Sequence, residues 1–167
     1  MENYVFLNSL KGNFFACFKM LEKIMEICPD DLWNKKVSGF IFWQQILHAF
    51  AGEWFWLREE NVEFNEPFKD KNVYPELEKD PETVLSKDTL KDFCIETKKF
   101  VEKWFAGKDD NWLKLPSKLY NKMTNNDVMI GQITHLMYHV GHFDAILREA
   151  GIKTGEYLGY YGENTGE

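Results

Sequence analysis

The sequence predicts an all-α fold, an antiparallel four-helix bundle, and two observations carry the prediction. Apolar residues recur at spacings of three and four through four long stretches, about 3–27, 40–60, 86–107 and 125–150, and no stretch alternates as a half-buried strand does. Amphipathic helices bury their apolar stripes against one another, and metal or ligand sites in such bundles are built in the core from facing helices.

The first stretch has Leu7, Leu10, Phe14, Phe18, Leu21 and Met25 on one face, with Lys11, Lys19 and Glu22 mostly outward, and Cys28-Pro29 ends it. Pro29 to Trp33 can form a short turn of helix, and 34–37 reads as connection. Ser38-Gly39 is expected to open the second helix. From Phe40 to Glu60 that helix is apolar almost all round, which places it deep in the fold or against a partner. Counting turns from its one histidine, His48, puts Gln44, Gln45, Ala51, Gly52 and Phe55 on the same side. Gln44 is a candidate to orient a ligand or cofactor. Gly52 costs about 1 kcal/mol of helix propensity relative to Ala, so either a close helix approach or space for a ligand accounts for it.

Residues 61–85, with Pro67, Pro75 and Pro81, form the longest break in periodicity, as a lid over a site or a tether. Ser86 can cap a third helix whose inner face holds Leu90, Phe93, Thr97, Val101 and Trp104, ending near Gly107. Residues 108–123 read as connection. Thr124 with Asp127 resembles a capping box opening a fourth helix through Ala150, and Gly151 is a natural stop. The aromatic, glycine-rich run 156–162 is too rich in glycine for helix and is expected to pack on the bundle or on a second subunit.

The 167 residues suit one domain spanning 1–167, with no internal repeat. At 44% hydrophobic and 16% aromatic the chain is far from the signature of disorder. A net charge of −7 without a Lys/Arg cluster argues against nucleic-acid binding. Cys17, Cys28 and Cys94 are odd in number and lack CxxC spacing, so they read as reduced thiols of a cytoplasmic protein. No export signal or membrane span is expected near the N-terminus.

The chemical signal lies in the fourth helix, where three of four histidines, His135, His139 and His142, fall within eight positions. On a helix His139 lies about 40° from His135, and His142 about 20° to the other side. Neighbours four apart have Cβ atoms about 5–6 Å apart, so two imidazoles can reach one metal ion. A third ligand has to come from elsewhere, and the one other histidine of the sequence is His48. Three neutral imidazoles leave an open position, as catalytic metal sites do. Spacing alone leaves three readings open: a metal site, ordinary hydrogen-bonded histidines, and a pH-responsive cluster. Glu53 and Asp144 point roughly 140° and 180° away from His48 and His135, which excludes both as ligands.

The stretch HLMYHVGHFDAILREAG (135–151), preceded by FWQQILHAFAGEW (42–54), resembles the DinB/YfiT-like family of four-helix-bundle metalloenzymes. The likeness follows the chain in helix order and includes the Pro29–Trp33 connection. Val140 and His142 depart from it, standing where Arg and Gln are usual. The resemblance implies a metal triad of His48, His135 and His139, a divalent ion such as zinc or nickel, and frequent homodimers. In some branches it also implies transferase or isomerase chemistry with low-molecular-weight thiols. The leading expectation is thiol transfer to an electrophilic small-molecule substrate. A metal-dependent hydrolase and a non-enzymatic stress or interaction protein stabilised by metal are the alternatives. For His142 four roles are open: fourth ligand, catalytic general base, hydrogen-bond donor behind a ligand, or plain packing.

Overall fold

The computed structural model describes residues 4–158. The fold is all-α, with four long helices carrying the core. They are α1 (Val5–Ile27), α3 (Phe42–Trp56), α4 (Lys87–Phe105) and α6 (Asn125–Glu149), joined by the short helices α2 (Asp30–Trp33) and α5 (Asp110–Leu113). Helix α1 packs on α6 and on α4, and α3 packs on α4 and on α6. Among the described residues no helix is long and apolar enough to cross a membrane.

The sequence's end signals work as chemistry. The Ser86 hydroxyl accepts from the Thr89 N–H at the start of α4. At the start of α6 the Asp127 carboxylate accepts from the Thr124 N–H at 2.8 Å, and the Thr124 hydroxyl accepts from the Asp127 N–H at 3.2 Å. This is a reciprocal capping box with Asp in place of Glu. Helix α6 closes on Gly151 at φ +78°, with Gly151 N–H donating to Arg148 O and Ile152 N–H to Leu147 O. Those two bonds form a Schellman motif, which needs a left-handed residue at this point.

One expectation fails. Ser38-Gly39 does not open a helix: it is the turn of a two-stranded antiparallel hairpin, β1 (Lys36–Val37) and β2 (Phe40–Ile41). Both turn residues have positive φ, 51° and 91°, as a two-residue hairpin turn demands. Helix α3 therefore begins at Phe42, and it ends at Trp56, short of Glu60. The 108–123 connection also contains α5, capped by Asp109, which accepts from the N–H groups of Asn111 and Trp112.

Helix α3 is the buried centre that its all-round apolarity predicts, with ten of its 15 residues buried. Phe18 of α1 stacks on Phe50 at 5.4 Å, and Phe42 meets Phe143 of α6 at 4.7 Å. Trp54 stacks on Phe100 of α4 at 4.3 Å while its indole N–H donates to Thr97. All three cysteines are free and buried. At the C-terminal end Leu158 is buried and Tyr157 exposed, while the expected packing of 159–162 lies outside the described residues.

Candidate metal centre

Helices α3 and α6 bring His48, His135 and His139 together. His135 and His139 stand one turn apart on α6, and His48 faces them from α3. The His135 Nε2 lies 3.2 Å from His48 Nε2 and 3.1 Å from His139 Nε2. One ligand atom from each residue lies within 4.8 Å of the others, close enough to hold a single metal ion. Two nitrogens bound tetrahedrally at about 2.0–2.1 Å would stand roughly 3.3–3.4 Å apart, close to the spacing here.

The outer nitrogens decide what these inner nitrogens can do. His48 Nδ1 lies 3.0 Å from the carbonyl of Pro75. A carbonyl only accepts, so that nitrogen carries the proton and Nε2 keeps its lone pair when the ring is neutral. His139 Nδ1 lies 3.1 Å from Gln45 Oε1, with the same result. Two bare lone pairs thus face His135 Nε2, which has at most one proton to share between them. A cation at the centre satisfies all three, whereas protons alone do not. Ligating imidazoles commonly have their other nitrogen fixed by a carbonyl or carboxylate in this way.

The rings are held neutral. Burial pushes the His135 pKa down to about 4, with His48 adding to the effect. Burial, then His135, His48 and His142, push His139 down to about 3. Burial also lowers His48, against the pull of the Pro75 carbonyl and of Glu78 and Glu76. Neutral imidazole is the form that binds metal.

Gly52 explains how His135 fits. A Cβ at position 52 would lie 2.9 Å from His135 Cε1 and 3.3 Å from Nδ1, so the imidazole rests against bare α3 backbone. Close approach is therefore the reason for this glycine. His135 Nδ1 is buried without a hydrogen-bond partner among the described residues.

The two glutamines of α3 divide the work. Gln44 turns to the long loop, its amide nitrogen 3.1, 3.0 and 2.6 Å from the carbonyls of Tyr74, Glu76 and Lys79. Gln45 is the amide that touches the histidines, accepting from both His139 and His142, the latter at 2.8 Å. His142 thus joins the centre through Gln45, and its ring meets the edge of Phe40 in the hairpin. Glu53 points into the core, fully buried and without a hydrogen-bond partner among the described residues.

A pocket of about 270 Å³ opens onto the cluster, with His48 and His135 in its wall. Gly52, Phe55, Trp56, Phe64 and the loop residues Pro75 to Glu78 also line it. Sequence reading did not find the Pro75 carbonyl or the loop carboxylates of Glu76 and Glu78. Their distance in sequence from His48 hides them.

Comparison with protein-family models, curated proteins and solved structures finds no match to this chain.

Proposed function

We propose that the chain is a metal-dependent enzyme of the DinB/YfiT-like four-helix-bundle type, whose His48, His135 and His139 hold a divalent ion, zinc or nickel. The observation that carries the reading is the convergence of three Nε2 atoms, two of them locked as lone pairs by Pro75 and Gln45. The ring contact with Gly52 and the shared Gln45 keep that geometry without the ion's help.

The reaction that fits best is transfer of a low-molecular-weight thiol to an electrophilic small molecule. When bound, a divalent ion would supply a positive charge that lowers the pKa of a thiol or water and so makes a nucleophile at neutral pH. The protein's own part is orientation and access. His48 and His135 line the pocket, so a small molecule can reach the ligand face. That access favours an enzyme over a metal that only tightens the bundle. His142 acts in this reading on Gln45, and through it on His139. A homodimer accompanies the reading.

The test is turnover. Untagged protein loaded with zinc or nickel is assayed with a panel of thiols and alkylating electrophiles, before and after chelation and for His48→Ala. Thiol consumption that requires both metal and His48 is expected. Hydrolysis of an activated ester in place of thiol transfer would move the assignment to a hydrolase. Stoichiometric metal with no turnover across the panel would count against an enzyme.

A further inference from the structure

The pocket beside the histidines has a charge and shape of its own. Its aromatic members meet nearly at right angles, Phe55 to Phe64 at 85° and 5.3 Å, and Phe55 to Trp56 at 81° and 5.6 Å. Glu76 and Glu78, both exposed, also line the cavity. Among the described residues neither Lys nor Arg lines the cavity. Two cations stand nearby: Arg58 lies over the Phe55 ring at 4.5 Å and donates to the Phe55 carbonyl, and Lys79 lies 3.1 Å from the Tyr74 ring centroid.

We propose that this pocket recognises a small organic cation, an ammonium group carried on an apolar body. The negative faces of aromatic rings attract a cation, and ammonium ligands are bound by such cages. The two carboxylates add the same preference and repel an anionic ligand. At about 270 Å³ the cavity lies just below the range of about 300–1,000 Å³ for drug-sized ligands, so the occupant is small. As a statement about substrate this rests on the metalloenzyme reading, and it selects an amine-bearing thiol or electrophile over a polycarboxylate one. As a statement about binding it stands on the pocket alone.

Three probes of similar shape test it: choline, its neutral carbon analogue 3,3-dimethylbutan-1-ol, and the anion 3,3-dimethylbutanoate. Each is titrated into the full-length, metal-free protein, with affinity read from indole N–H shifts in NMR spectra. Choline is expected to bind about 10-fold more tightly than the alcohol, the scale of a desolvated cation–π contact, and the anion most weakly. E76Q/E78Q alters two exposed side chains, so the fold persists, and it should remove most of the margin over the anion. Trp56→Leu should weaken choline more than the alcohol. Equal binding of the cation and the alcohol, tightest binding of the anion, or binding of none of the three would overturn the proposal. Zinc is titrated separately into the same preparation. Zinc binding without choline preference overturns the pocket assignment alone, and choline preference without zinc binding overturns the metal reading alone.

Discussion

Replacing Gly52 by alanine should separate helix stability from metal affinity. The added Cβ would lie 2.9 Å from His135 Cε1. Carbon atoms in contact rest at about 3.5–4.0 Å, so the imidazole has to retreat by roughly 0.6–1 Å. It can do so cheaply because His135 borders an open pocket. Metal ligands keep their distances to within about 0.2 Å, so a displacement of this size spoils one leg of the tripod. Loss of ligand orientation of this kind costs on the order of 10–100-fold in metal affinity. The metal-free protein moves the other way. Alanine gains about 0.8–1.0 kcal/mol of helix propensity, which raises Tm by about 2–4 °C in a chain of this size. Gly141 supplies the control: nothing lies within 4 Å of its virtual Cβ, so Gly141→Ala should raise Tm similarly and leave zinc affinity alone. Competition with a chromogenic chelator reads the affinity, and calorimetry of metal-free protein reads Tm. Unchanged zinc affinity in Gly52→Ala would refute the idea that bare backbone at this position seats His135.

Three further substitutions probe the surrounding groups. Gln45→Leu removes the acceptor shared by His139 and His142 and should lower zinc affinity about 10–100-fold; Gln45→Glu, which keeps an acceptor, should restore most of it. Gln44→Leu frees three loop carbonyls, so limited proteolysis should speed up at residues 74–79 while zinc stoichiometry is retained; loss of zinc instead would give Gln44 a role at the metal. Glu53→Gln addresses the core. Burial raises the Glu53 pKa well above its ordinary value of 4.5. The native state therefore holds a proton that the unfolded chain releases, and wild-type stability falls as pH rises above about 4.5. Relative to wild type, the amide should gain up to about 1.4 kcal/mol per pH unit while native Glu53 stays protonated. Urea unfolding of the metal-free proteins between pH 4 and pH 8 measures this, and parallel curves for the two proteins would contradict it.

Local rules made much of the fold legible. Ser86, Thr124 with Asp127, and Gly151 mark helix ends through side-chain or φ chemistry confined to a few residues, and the structure uses each of them. The hairpin escaped because Ser38-Gly39 satisfies two local readings, helix entry and two-residue turn. The choice between them depends on whether Lys36 and Val37 find partners in Phe40 and Ile41. At the site, the His135–His139 spacing and the one histidine of α3 are sequence-local, and the three do meet. The sequence nominated Gln44 where the contact belongs to Gln45. The two are adjacent, and which one faces α6 is set by the helix's rotation against its neighbours. That rotation is a property of packing rather than of periodicity. The Pro75 carbonyl was invisible for a related reason: any residue can offer a backbone oxygen, so no side-chain pattern announces it.

The central claim is that His48, His135 and His139 together hold one divalent ion. Elemental analysis of protein purified without a histidine tag and equilibrated with zinc tests it most directly, comparing wild type with His135→Ala, which removes the histidine that touches both others. The account predicts close to one zinc per chain in the wild type and little in the variant, with both proteins folded by circular dichroism. Equal zinc content in the two, whether zero or one, would contradict it.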